Sequence, residues 1–341
     1  MPVFQHERLE ILAATILQAA GTPTDIAAYV AAALVESNLR GVDSHGVALI
    51  PWYLDEIAQG TIRPDGRPST EKETPTMAVV RGNASFGIFA LGHAMELAIQ
   101  KAKASQVAAV GLIDCPHTGR LGRFVEAAAN RDLFAMVIGG GGHRLWATVA
   151  PHGGAKPILG TNPFALGLPG GRFGPVVVDI ATSAVSWSKL RVYRAKKQPV
   201  PIGWILDKDG RPSTNVEDFY HGGMQVPAGG HKGYGLALLA EVIGDSLLGE
   251  PREFSWLVIT IDIGGFRPVA DYLESCETCL QKVKDIPPAP GFDEVLLPGE
   301  RGARTERERR ETGIPVPKEI WQQIREVAQR VGVDTQSTLK Q

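Results

Sequence analysis

From about Met77 onward the chain alternates short apolar stretches with longer helical periods, which restricts it to layered α/β or α+β architecture. Met77-Ala78-Val79-Val80 reads as a strand, Gly82-Asn83 as a turn, and Ile88 to Ala104 as a helix. Val107 to Ile113 reads as a buried strand, Leu121 to Asn130 as a helix, and Leu133 to Ile138 as another strand. Before Met77 the organisation begins with helices. His6 to Ala20 forms one helix, a second starts with Thr24-Asp25 as N-cap and reaches Asn38, and a third runs from Ile50 to Ala58 and ends at Gly60. Arg63-Pro64-Asp65-Gly66 follows as a turn. No GxGxxG joins a strand to a helix, and no GxxxxGK[ST] occurs, so a standard Rossmann domain and a P-loop enzyme are disfavoured.

Composition removes further classes. With 341 residues, 44% hydrophobic and 21% charged, the chain can bury a large core and form two lobes. A net charge of −2 supplies no basic field for nucleic acid. No apolar run reaches the ~18 residues of a bilayer span. The start, Met1-Pro2-Val3-Phe4-Gln5-His6-Glu7, has no basic segment leading into an apolar signal core, so a cytoplasmic location is expected. Cys115, Cys276 and Cys279 are too few and too odd in number for a disulfide framework. Cys276-Glu277-Thr278-Cys279 has CxxC spacing, but it lies in a helical pattern from Val269 to Val283 with no second ligand pair, which points to a structural role.

Five polar stretches carry the chemistry. Asp43-Ser44-His45-Gly46 sets an imidazole in a short break after an apolar helix, where it can be held firmly and still meet a substrate. Cys115-Pro116-His117-Thr118-Gly119-Arg120-Leu121-Gly122-Arg123 joins a strand to a helix. Amides at that helix start could receive a carboxylate or phosphate, or the stretch is a tight turn with solvated arginines. Leu159-Gly160-Thr161-Asn162-Pro163 is a ligand loop or a turn. Val176-Val177-Val178-Asp179-Ile180-Ala181-Thr182-Ser183 is a strand ending in a carboxylate that needs a partner, either a histidine or a helix N-terminus. Gly229-Gly230-His231-Lys232-Gly233-Tyr234-Gly235 opens an apolar helix reaching about Leu248, with a lysine suited to an anion. His45, His117 and His231 lack HxxxH or HxH spacing, so a metal-dependent hydrolase is disfavoured and no metal is expected.

In this order, from about residue 5 to 335, the five stretches resemble the malate/L-lactate dehydrogenase family of the non-Rossmann type. The resemblance implies an α/β (α+β) non-Rossmann dehydrogenase fold: a helical part, 1–75 joined by 300–341, packed on a mixed-sheet nicotinamide-binding part, 76–299. It also implies an oxidoreductase using NAD(H) or NADP(H) on small 2-oxo, 2-hydroxy or cyclic 2-imino carboxylates, assembled as a homodimer. Carried over by motif, His45 is the proton donor and acceptor and Asp179 the carboxylate paired with it, while Ser44, Arg40 and Arg120 meet the substrate. Cofactor contacts would come from His117 and Gly119, from Thr161 and Asn162, from Asp179, Ile180, Ala181, Thr182, Ser183 and Ala184, and from His231 and Lys232. Gly299, Glu300 and Arg301 belong to the family's late loop, matched by Leu297-Pro298-Gly299-Glu300, and add to that set.

The sequence departs from the family pattern in two places. Many members carry an arginine four residues after the histidine, a bidentate clamp for a carboxylate, where this chain has Leu49. The connection between Leu248 and Phe254 is also short. Leu49 raises an alternative, a non-catalytic nucleotide-binding protein that kept the fold and lost its grip on substrate.

Overall fold

Leu9, Leu12, Ala13, Ile16 and Leu17 line one face of the first helix, α1 (His6–Ala19), and bury it against α2 (Thr24–Leu39). The computed structural model describes residues 1–249 and 254–339. α2 starts after Pro23 with no side-chain cap, so the expected Thr24-Asp25 cap is not made; burial of Ile26, Val30 and Leu34 stabilises the helix instead. α3 (Ile50–Ala58) has proline in its first turn, where a missing N–H costs nothing.

Seven strands form the main sheet: β1 (Ser69–Glu73), β2 (Met77–Arg81), β3 (Val107–Cys115), β4 (Leu133–Gly140), β5 (Phe164–Leu168), β6 (Val176–Ile180) and β7 (Phe254–Asp262). Their order is β1-β2-β3-β7-β4-β5-β6. Only β2 and β3 run parallel, and α4 (Gly87–Ser105) supplies the crossover that a parallel pair needs. β7, last in sequence, lies between β3 and β4 and pairs antiparallel with both. α5 (Gly122–Ala129) packs on β4 and β5. β1 escapes a reading by periodicity because all five of its residues are polar and exposed; it is an edge strand held by β2 alone.

Past the sheet, α6 (Trp187–Ala195) sits over a small separate core of Val185, Leu190, Val200, Ile205, Val216 and Phe219. The helix read as reaching Leu248 divides into α7 (His231–Val242) and a π-helical segment, Ile243–Leu248. This element lies directly on the backbone of β4. A Cβ added at Gly140 would stand 1.7 Å from the Ala240 carbonyl oxygen, and one at Gly244 would stand 2.1 Å from Gly140. α8 (Val269–Lys284) carries Cys276 and Cys279 as free thiols, with Cys276 Sγ 3.5 Å from the Pro169 carbonyl.

The C-terminal segment returns to the beginning of the chain. α9 (Glu300–Thr312) packs on α2, Ile314–Pro315 pairs antiparallel with Val3–Phe4, and α10 (Lys318–Arg330) packs on α3. One apolar core runs from Leu9 and Leu34 through Phe86 and Leu91 to Val110, Val137, Val258 and Ile324. No described helix is long and apolar enough to cross a membrane. Residues 250–253, where the sequence has its shortened connection, lie outside the described residues.

Candidate active site

The turn that carries His45 begins where α2 stops. Gly41 has φ +73°, which only glycine adopts readily, and the chain then closes a 3₁₀ turn, Asp43–His45. Buried Asn38 holds both sides of that turn. Its Nδ2 donates to Asp43 Oδ1 at 2.7 Å, and its Oδ1 accepts from the Val47 amide at 2.8 Å. A Cβ at Gly46 would stand 2.1 Å from Asn38 Oδ1, so the motif's glycine leaves room for the asparagine.

His45 Nδ1 lies 3.1 Å from Ser44 Oγ, and its ring stacks on that of His117 at 5.7 Å with 15° between planes. His117 leaves the end of β3. Its Nδ1 is 3.2 Å from the hydroxyl of buried Tyr53, and Trp52 meets the ring edge-on at 5.2 Å. Helical and sheet portions thus contribute to one imidazole stack. Burial holds His117 down to about 3, with His45 adding to the effect. Burial, assisted by the Arg120 charge, holds His45 down to about 4. Both rings are neutral at pH 7 and able to accept a proton.

Asp179, at the end of β6, is held by a main-chain partner. Its Oδ2 accepts from the Gly122 amide at 2.7 Å, at the start of α5, whereas His45 bonds to Ser44. The positive end of a helix dipole and a fixed N–H offer this carboxylate a better partner than a neutral imidazole. The carboxylate is reachable from the cavity yet walled in by protein, and loss of water raises its pKa despite the Gly122 bond.

These groups surround a cavity of about 750 Å³. Of the expected residues, Arg40, Ser44, His45, His117, Gly119, Arg120, Thr161, Asp179, Ile180, Ala181, Gly299 and Arg301 line it. Two of the expected substrate clamps are already engaged. Arg120 Nη2 is 2.6 Å from Glu126 and 2.9 Å from Glu36, and Arg40 is 2.8 Å from Glu306 and 3.5 Å from Glu126. Their charges are neutralised by neighbouring helices, although Arg120 Nε stays buried without a partner among the described residues. Arg301, by contrast, is exposed and has no ion pair among the described residues.

Other expected residues do not line the cavity. Asn162 is fully buried at φ +36°, donating to the Ala237 carbonyl at 2.8 Å and to Glu241 at 2.7 Å; it braces the loop that presents Thr161. Thr182 and Ser183 turn their hydroxyls onto the Thr161 and Val185 carbonyls, and the Ala184 amide donates to Val226, so these three also build the wall. Glu300 accepts from the Leu297 amide and pairs with Lys284. His231 and Lys232 are exposed at the start of α7 and are not among the lining residues, with the His231 ring 6.1 Å from that of His152. Leu49 packs on the main core. Among the described residues no three His, Cys, Asp or Glu side chains converge as metal ligands.

Sequence reasoning missed Glu126, Ser186, Trp187, Ser188, Phe254 and Trp256, which also line the cavity. Ser186 carried a usable signal as the N-cap of α6, accepting from the Lys189 amide. The rest look like ordinary core or surface positions.

A model of the malate/L-lactate dehydrogenase family matches residues 4–325. Malate dehydrogenase of Pyrococcus horikoshii is 32% identical over 96% of this chain and 95% of its own. The structure of sulfolactate dehydrogenase from Methanocaldococcus jannaschii superposes with a TM-score of 0.90 at 30% identity, covering 98% of this chain and 99% of the other. That of Δ1-piperideine-2-carboxylate reductase from Pseudomonas syringae superposes at 0.86 with 26% identity, covering 96% and 100%. With matches of this extent, the chain belongs to the malate/L-lactate dehydrogenase family and is an oxidoreductase of the 2-hydroxy acid dehydrogenase type.

Proposed function

We propose that this enzyme interconverts a small 2-oxo or cyclic 2-imino carboxylate and its 2-hydroxy or amino acid with NAD(H) or NADP(H), His45 giving and taking the proton. The observation that carries the reading is the pair of neutral, stacked imidazoles on the wall of a single cavity. Its volume falls within the ~300–1,000 Å³ of typical ligand clefts.

The lining fits a nicotinamide nucleotide. Hydroxyls of Thr161, Ser186 and Ser188, the Trp187 ring and the unpaired Arg301 offer donors, a flat apolar face and a cation. When bound, the nicotinamide supplies or receives the hydride. Everything else falls to this chain's own side chains. His45 exchanges a proton with the substrate oxygen or nitrogen, with Ser44 on its Nδ1 leaving Nε2 for the substrate. His117, oriented by Tyr53, stacks beneath it, and Arg301 takes an anionic group. Asp179 ties the end of β6 to α5 and so fixes that part of the cavity wall.

The names of the relatives, malate, sulfolactate and piperideine-2-carboxylate, support the carboxylate class. A cofactor-oxidation screen with NADH and NADPH against pyruvate, oxaloacetate, larger 2-oxo acids and cyclic imino acids tests the reading. Turnover with at least one is expected. Nucleotide binding with no turnover across the panel would favour the non-catalytic alternative.

A second copy of the chain completes the proposal. Leu236, Leu238, Leu239, Val242 and Leu247, on α7 and its π-helical extension, are 43–67% exposed, and a face so apolar calls for cover. Light scattering is expected to give the mass of two chains, and Leu239→Glu to give that of one. A monomeric parent protein would contradict the homodimer. Free thiols and the lack of a membrane-length helix among the described residues suit the cytoplasmic setting that belongs to the same reading.

A further inference from the structure

We infer that Arg309 is a positioning residue for His45, holding in place the turn on which the proton donor stands. The inference rests on the acid–base reading of His45. The turn Asp43–His45 is three residues long, and buried Asn38 fastens it to α2 by its side chain. Its other fastening comes from 266 residues away. Arg309, near the C-terminal end of α9, meets Asp43 with both terminal nitrogens, Nη1 to Oδ1 at 2.7 Å and Nη2 to Oδ2 at 3.2 Å. Nη1 also donates to the main-chain carbonyl of Asn38.

The clamp is closed on itself. Asp43 Oδ1 accepts from both Arg309 and Asn38, Asn38 in turn accepts from the Val47 amide, and Gly46 fits against Asn38 where a side chain could not. The residues two before, one after and two after His45 are therefore fixed through a single charged network. Arg309 is 16% exposed beside an Asp43 that is 43% exposed, so the pair is shielded on the arginine side, and it is two-pronged.

α9 gives this clamp a direction. Gly299, Arg301 and Gly302 at its start line the cavity, Glu306 pairs with Arg40, and Thr305 packs on Gly41. Arg301 and Arg309 are about 12 Å apart along one rigid helix. The helix thereby sets the spacing between the unpaired cation and the imidazole, which a one-piece backbone holds better than two loops.

The test compares Arg309→Met and Arg309→Lys with Arg310→Met, whose exposed guanidinium pairs with Glu306 outside the clamp. Because a misplacement of about 1 Å can cost about 10²-fold, Arg309→Met should lower kcat by about 10- to 100-fold, with nucleotide and acid KM within about threefold of the parent. Arg309→Lys should recover part of that loss, since an ammonium keeps the charge but not the fork. Arg310→Met should match the parent. Amide exchange should quicken in peptides covering residues 41–49 of Arg309→Met and stay unchanged in α5. In a His45→Gln background the Arg309 substitution should add little.

Parent-like kcat in Arg309→Met beside an inactive His45→Gln would overturn this inference and leave the acid–base reading standing. Full turnover in His45→Gln would overturn both. Equal losses in kcat and binding, or effects that multiply with His45→Gln, would reduce Arg309 to a general stabiliser and also overturn it. Should Arg309→Met fail to fold, Asp43→Asn carries the same expectations from the other side of the pair.

Discussion

His45→Gln should lower turnover in both directions by about 10²- to 10⁴-fold, the range that a positioned acid–base group contributes. Glutamine fills similar space and can still bond to Ser44 but cannot exchange a proton near neutral pH. Nucleotide affinity, followed by fluorescence titration, should stay within about twofold because, among the described residues, His45 shares no hydrogen bond with the hydroxyl and aromatic lining of Thr161, Ser186, Trp187 and Ser188. The alternative proton carrier in reach is His117, but its Nδ1 is taken by Tyr53 and its ring is the more strongly depressed of the two. Turnover at the parent rate would transfer the role to His117.

Gly140→Ala should be the most damaging small substitution outside the cavity. The new Cβ would lie 1.7 Å from the carbonyl oxygen of Ala240 on α7, a contact between two backbones with no flexible side chain to move aside. Overpacking of this kind costs about 1–3 kcal/mol and more where nothing can yield, so a loss at the upper end or beyond is expected by denaturant unfolding. The damage should reach the site too. Ala237 and Glu241 on the same helix hold Asn162, which presents Thr161 to the cavity. An unfolding curve like the parent's would mean that α7 and β4 are less closely apposed than described.

How far the sequence revealed all this differs by element. α1, α3, α4 and the central strands follow from periodicity because each buries one face or both. β1 is polar throughout, and the π-helical end of α7 sets Gly244 against Gly140, a contact that no local pattern encodes. Within the site, His45, His117, Thr161, Asp179 and Gly299 converge because their motifs occupy ends of helices and strands that meet at one cavity. Asn162, Thr182 and Ser183 sit in the same motifs yet turn into the wall, and residue type alone does not separate the two orientations. Arg40 and Arg120 looked free only because their partners, Glu36 and Glu306 among them, lie on other helices. Arg309 was hidden by its distance along the chain from Asp43.

The pH dependence of kcat/KM in both directions tests the central claim, that His45 in its buried setting moves the proton. The imidazole is held below its ordinary 6.5, at about 4, so the free enzyme carries it neutral from pH 5 to 8. In the oxidative direction, where the neutral ring is the base, kcat/KM should be level across that range and fall only as pH drops toward 4. In the reductive direction it should decline about tenfold per pH unit above about pH 5, as the protonated ring becomes scarce. Both dependences should vanish in the residual activity of His45→Gln. A break near the ordinary histidine value of 6.5, or profiles that survive the substitution, would contradict the account.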